Sequence, residues 1–205
     1  MPYRFDFFVS YRRSYLRNGK PQETAVGAWV KQVFYPELCA LWNEQQPDAQ
    51  VFLDEESIPT GAHWPSYLKE AIRDSRCLLP IWSPPYFGSR WCKAELESMR
   101  LREKQCNIHL AQGRGLVVPV VFHDGDSFPA EARFTQNLSF HTLSHLRAGD
   151  GLVELRKRLR DDLLPSLVAA HQKAPDWRAD FQLASIGDDD SDPPMPFRGM
   201  TGGTP

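Results

Sequence analysis

Residues 77–96, Cys-Leu-Leu-Pro-Ile-Trp-Ser-Pro-Pro-Tyr-Phe-Gly-Ser-Arg-Trp-Cys-Lys-Ala-Glu-Leu, hold a strand, a loop and a helix start in one reading frame. Cys77–Trp82 (CLLPIW) is short and nearly all apolar, as expected of a strand buried on both faces of a parallel sheet. SPPYFGS reads as a loop, and Ser89 suits the N-cap of a helix from Trp91 to about Lys104. Working outward, Arg4–Ser10 (RFDFFVS) is aromatic and β-branched and reads as the first strand. SYLRNGKPQE follows as a polar loop. From Thr24 the apolar period becomes helical through Val26, Trp29, Val30, Val33 and Phe34, with a kink or restart expected at Pro36. Val51–Leu53 is the next strand. Pro65 then opens a helix with Leu68, Ala71 and Ile72 on its buried stripe. Leu116–Phe122 (LVVPVVF) is another buried strand, and Leu138–Phe140 a weaker fifth. Leu152, Leu155, Leu159, Leu163 and Leu164 mark a last helix, expected to end at or soon after Pro165. This alternation predicts an α/β, flavodoxin-like, five-stranded parallel sheet with helices on both faces. Sites in such folds lie at the carboxyl ends of the strands, here the loops opening at Ser10, Asp54, Ser83 and His123.

The bulk composition narrows the classes. The chain has 205 residues, 41% hydrophobic and 24% charged, which suits one domain over 1–170 with a tail over 171–205. The tail contains GDDDSDPP and TGGTP and is too poor in aliphatic residues to order itself, although Trp177, Phe181 and Leu183 offer a short helical piece to pack back. A net charge of −2 gives no electrostatic case for direct nucleic-acid binding or an acidic membrane surface. No apolar run approaches the ~18 residues of a membrane span, and the start lacks an apolar signal region. A cytoplasmic location is therefore expected. Cys39, Cys77, Cys92 and Cys106 have no metal-ligand spacing, so buried or half-buried reduced thiols are expected and no metal.

Three stretches carry chemistry. Ser10–Arg13 (SYRR) places two arginines at a strand's carboxyl end, where they can clamp a phosphate or pyrophosphate; the bland alternative is a solvated basic turn. The same residues exclude a phosphorelay receiver, which needs an acidic cluster there. Phe52–Trp64 (FLDEESIPTGAHW) puts Asp54 at a strand end, able to accept from a ligand hydroxyl or to cap the loop. Glu55 and Glu56 read as solvent-facing, Gly61 as a positive-φ position, and Trp64 as loop packing. In Ser83–Leu96, Trp91 and Glu95 share one helix face. An aromatic ring beside a carboxylate suits a flat cationic group, although a lone helical glutamate is usually surface.

Taken in order and spacing, FDFFVSYRR, FLDEESIPTG with its downstream Trp, and SPPYFGSRWCKAEL resemble a Toll/interleukin-1 receptor (TIR) domain. The resemblance spans about Tyr3 to Val168, is strongest through Met99 and fades after Phe122. It implies a five-stranded parallel fold, and makes the segment after Leu53 the loop that mediates TIR–TIR contacts. Many bacterial and plant members cleave NAD+ between nicotinamide and ribose, using a glutamate in a W-x-x-x-E position held here by Trp91 and Glu95. By the same resemblance Ser10, Tyr11, Arg12 and Arg13 line the nucleotide site, with Asp54 and Ser83 near the ribose and Tyr86 a further contact. Pro59 and His63 stand where the family varies, and no role is carried to them. The implied activity is an NAD+ nucleosidase of bacterial style in antiviral defence or immune signalling, with NAD+ as substrate and no cofactor. Partners would be further copies of the chain and a sensor or effector protein. The alternatives are a non-enzymatic scaffold acting by TIR–TIR assembly, and a relative of the nucleoside deoxyribosyltransferases; the Ser10–Arg13 arginines favour a diphosphate over a nucleoside.

Overall fold

A computed structural model describes residues 2–18, 20–53, 63–108, 115–123, 128–133, 137–143 and 150–185. β1 (Phe5–Tyr11) and β5 (Ser75–Trp82) form the middle of the sheet, and all but one residue of each is buried. They pair in parallel from Phe5 with Ser75 to Tyr11 with Ile81. β4 (Val51–Phe52) flanks β1, while β6 (Val120–Val121) and β7 (Leu138–Ser139) extend the other side. The order is β4-β1-β5-β6-β7 and every pairing is parallel. Numbered along the chain within the sheet this is 2-1-3-4-5, the flavodoxin-like order expected. The ladder beyond β5 is short because Pro119 lacks a donor; its carbonyl still accepts from Leu138 N at 3.0 Å.

The SYLRNGKPQE segment, expected as a loop, is instead an antiparallel hairpin of β2 (Ser14–Arg17) and β3 (Lys20–Glu23). Asn18 has φ 52°, and Asn18-Gly19 is the dipeptide that favours a tight hairpin turn. Thr24 caps the following helix as expected, its Oγ1 accepting from Gly27 N at 2.9 Å. Ala25–Trp29 runs through a π-helical turn, Val30–Phe34, into Tyr35–Gln45. The wider turn falls just before Pro36, where the proline ring would crowd the carbonyl four residues back. The same device recurs in the last helix. Asp150–Arg158 passes through a π-helical turn, Leu159–Leu163, into Leu164–Lys173, so Pro165 does not end it. The expected stop fails because the preceding turn widens to admit the ring.

Pro65 lies in the first turn of the Trp64–Arg73 helix, as expected. SPPYFGS, expected as a loop, contains a one-turn helix, Pro84–Gly88, whose two leading prolines occupy positions needing no intrahelical donor. Ser89 Oγ then accepts from Cys92 N at 3.3 Å and opens the Arg90–Gln105 helix.

The core packs both sheet faces. Trp29, Trp42, Phe7, Phe8, Phe34 and Phe52 are at most 1% exposed. Each such ring contributes about 1.5–3 kcal/mol by burial. A smaller cluster of Trp82, Tyr86, Cys92, Val121, Phe128 and Ala132 lies at the carboxyl end of β5. Residues 174–185, within the segment expected as tail, run without helix along the domain. Tyr3 OH donates to the Pro175 carbonyl, Trp177 Nε1 to Asp74 and Ala184 N to Ser98 Oγ. Phe181 is buried, stacked on Tyr3. Cys77 and Cys92 are buried and Cys39 and Cys106 half-buried, all as free thiols. Among the described residues no helix is long and apolar enough to cross a membrane.

Candidate functional site

Three elements converge at the carboxyl end of the sheet. Ser10 is the penultimate residue of β1, Tyr86 sits in the Pro84–Gly88 helix, and Glu95 lies in the second turn of the Arg90–Gln105 helix. Ser10 Oγ donates to Glu95 Oε2 at 2.5 Å. The Ser10 and Tyr86 hydroxyls are 3.0 Å apart, and Tyr86 OH reaches the Cys92 carbonyl at 3.1 Å. With Glu95 ionised, the Ser10 hydrogen is committed to the carboxylate, so the phenol hydrogen is shared between Ser10 Oγ and the Cys92 carbonyl. Burial pushes the Tyr86 phenol well above its usual value, and its Coulombic interactions with Cys92 and Glu95 act in the same direction. Tyr86 is therefore a neutral donor here, not a base.

Glu95 is 8% exposed. A carboxylate at that depth is tolerated only with donors in place. The helix reaches this position because its polar-looking sequence hides a buried stripe: Cys92, Glu95, Met99 and Arg102 recur three or four residues apart and all face inward. Trp91 is half-buried and packs against the main core.

Ser83 is an N-cap residue whose hydroxyl does not cap. Pro84 and Pro85 offer no N–H, and Tyr86 N goes to the Ser83 carbonyl at 2.9 Å. Its Oγ is buried without a hydrogen-bond partner among the described residues. A buried orphan hydroxyl beside a convergent polar cluster is a position that a ligand oxygen can complete.

Arg12 and Arg13 are half-buried, and their backbone is tied to the first helix. The Arg13 carbonyl accepts from Thr24 N at 2.8 Å and the Arg12 carbonyl from Thr24 Oγ1 at 2.5 Å. Gly27 permits this approach, since a Cβ there would lie 2.8 Å from the Arg13 oxygen. Tyr11 is buried at the end of β1. Asp54, with Glu55, Glu56, Pro59 and Gly61, lies outside the described residues, as does the Trp64 side chain. His63 is exposed, its Nδ1 2.9 Å from Ser66 Oγ. Among the described residues no group of three or more His, Cys, Asp or Glu side chains is placed to hold a metal ion.

Sequence reasoning missed two buried charges on the same helix. Arg102 and Glu103 are 1% and 3% exposed. Glu103 accepts from Leu116 N at 2.6 Å and from Arg100 at 2.9 Å. The only signal was position, Arg102 falling seven residues after Glu95 on one face.

Residues 41–159, more than half of the chain, match the family model of the TIR domain. That segment includes Ser83, Tyr86, Trp91 and Glu95 and begins after Ser10–Arg13. Among solved structures, the chain is similar to the TIR domain of the Toll-related receptor TRR-2 from Hydra magnipapillata. The TM-score is 0.52 at 13% identity, over 80% of this chain and 98% of that one. At that identity the likeness is one of fold. The TIR domains of the activated Roq1 resistosome, which recognises the pathogen effector XopQ, align with a TM-score of 0.40 at 22% identity, over 83% of this chain and 82% of that one. No curated protein matches the chain.

Proposed function

The chain belongs to the TIR domain family, and on that premise we propose that it cleaves NAD+ between nicotinamide and ribose, with Glu95 as the catalytic carboxylate. The observation that carries this reading is the placement of Glu95: a nearly buried carboxylate at the carboxyl end of the sheet, held by Ser10 at 2.5 Å.

The chemistry follows from charge. When the bond from the ribose C1′ to the pyridinium nitrogen breaks, its electron pair leaves with nicotinamide, which departs neutral and needs no acid. Positive charge grows on the ribose as an oxocarbenium ion, and a fixed carboxylate in a poorly solvated site stabilises it. Water then attacks C1′ and loses a proton to give ADP-ribose; attack by the adenine or a ribose hydroxyl gives a cyclic isomer. Arg12 and Arg13 would take the diphosphate, Ser83 and Asp54 the ribose side, and Trp91 the flat cationic ring. Tyr11 would line the same wall.

The reading extends to self-association through TIR–TIR contacts, to a bacterial style of NAD+-cleaving member, and to antiviral defence or immune signalling under a sensor or effector protein. It is tested by incubating purified protein with NAD+ at high protein concentration and following nicotinamide release beside Glu95→Ala. Release that falls by about 10²–10³-fold in the variant is expected. No release under crowded, assembly-promoting conditions refutes the enzyme and leaves a scaffold. Release that survives Glu95→Ala removes the residue assignment.

A further inference from the structure

We propose that Ser10 and Tyr86 are positioning residues that fix the Glu95 carboxylate from beneath, instead of groups that touch the nucleotide. The inference rests on Glu95 being the catalytic carboxylate. Ser10 is 1% exposed and Tyr86 0%, and both hydroxyls, unlike the equally buried Ser83 Oγ, unpartnered among the described residues, are already bonded within the protein, whereas Glu95 retains a small accessible edge. Their hydrogen-bonding capacity is spent inward: Ser10 on Glu95, Tyr86 on the Cys92 carbonyl, and each on the other.

The geometry has a purpose that a packing role lacks. A glutamate has three rotatable bonds, and on a helix its carboxylate sweeps a wide arc. Here the arc is closed from two other elements. Ser10 is set by the β1 ladder, where it pairs with Pro80 of β5. Tyr86 is set by its own helix and by the Cys92 carbonyl, which belongs to the first turn of the helix that bears Glu95. The phenol therefore spaces that helix from the sheet, and the serine fixes the carboxylate oxygen within the space. Displacing a reacting group by about 1 Å costs up to about 100-fold in rate, so such a clamp is worth building.

The test separates positioning from contact. In Ser10→Ala and, independently, Tyr86→Phe, nicotinamide release should lose about 10–100-fold in kcat with KM within about twofold of wild type. A raised KM with unchanged kcat would mean that the hydroxyls bind the nucleotide and would overturn the proposal. Unchanged values of both would do the same. A second readout needs no turnover: a thermal double-mutant cycle between Ser10→Ala and Glu95→Met, the latter keeping length and removing the acceptor. The double variant should lose less than the two singles together by about 2–4 °C. Strict additivity overturns the clamp. A wild type that releases no nicotinamide refutes the parent reading instead, while the cycle still decides whether the hydroxyls hold the carboxylate.

Discussion

Replacing Arg102 with alanine strips the donors from three backbone carbonyls at once. Nη1 donates to Ser75 O at 2.6 Å, and Nη2 to Ile72 O and Arg73 O at 3.0 Å each. The latter two end the Trp64–Arg73 helix, whose last carbonyls have no partner of their own and carry the negative end of its dipole. The guanidinium also lies 4.2 Å from the Phe181 ring centroid and 5.9 Å from that of Tyr3. Burial lowers the Arg102 pKa from its usual value, yet a guanidinium stays charged at neutral pH. Each charge-assisted bond contributes about 1.5–3 kcal/mol, but the three share one side chain and the helix-end carbonyls regain some water, so they do not add. With the cavity left beneath Phe181 the loss is about 3–5 kcal/mol. In a chain of this length that lowers the melting temperature by roughly 10 °C. Arg102→Lys keeps the charge without the fork and should lose about half as much. Calorimetry and urea unfolding at constant m-value measure both. An alanine variant melting within about 2 °C of wild type would refute the claim that this arginine anchors the helix end.

Gly27→Ala places a methyl 2.8 Å from the Arg13 carbonyl, so the urea midpoint should fall by the equivalent of about 1–3 kcal/mol and the Arg12–Arg13 segment should shift; an unchanged midpoint means that the contact gives way freely. Burial raises the Asp6 pKa, but the bonds from His171, Trp42 and Gln50 outweigh it and hold the group below 3.8. A folded value below the unfolded one gives stability that is complete above 3.8 and lost as pH falls through the folded value. Acid titrations of the melting temperature should therefore be steeper for wild type than for Asp6→Asn, and equal slopes would exclude the network.

The five sheet strands were legible because runs such as FDFFV and CLLPI are short and almost wholly apolar, bounded by turn residues, as strands buried in a parallel sheet are. Helices were legible where a stripe and a cap coincided, as at Thr24 and Ser89. The β2–β3 hairpin was not, since its strands alternate nothing: the decisive signal was the Asn-Gly dipeptide in the sequence at 18–19, outweighed by polar neighbours. Pro165 misled for a different reason. A proline clash is relieved by a π-helical turn, which depends on how the helix packs and leaves no mark in a residue pattern. At the site, three separated motifs are expected to form one nucleotide pocket; the structure brings the first and third together, Ser10 with Tyr86 and Glu95, while Asp54 of the second lies outside the described residues. The direction in which those hydroxyls point was not legible, because residue type alone does not say whether a serine faces a ligand or a neighbouring carboxylate. Arg102 and Glu103 sit in a run of charges that on most helices is solvated, and only the tertiary fold reveals their burial.

One helix carries both the candidate chemistry and much of the strain of burying charge. Glu95 is clamped at the carboxyl ends of the strands and Arg102, two turns later, at the amino ends, about 10 Å apart along the axis. A helix fixed at one end only would pivot, and the pivot would be largest at the free end. The two anchors therefore divide the work: Ser10 and Tyr86 set where the carboxylate is, and Arg102 with the 174–185 segment sets whether the helix stays docked. Ala184 N on Ser98 Oγ places the upper limit of that second anchor one turn from Glu95. Because the clamps are local and use different residues, their losses should be separable. Arg102→Ala should cost stability at nearly constant kcat below its melting temperature, while Ser10→Ala should cost mainly kcat, its loss of stability limited to the few degrees carried by its bond to Glu95. If instead both variants lose both properties in the same proportion, the helix moves as one rigid piece and Glu95 has no anchor of its own.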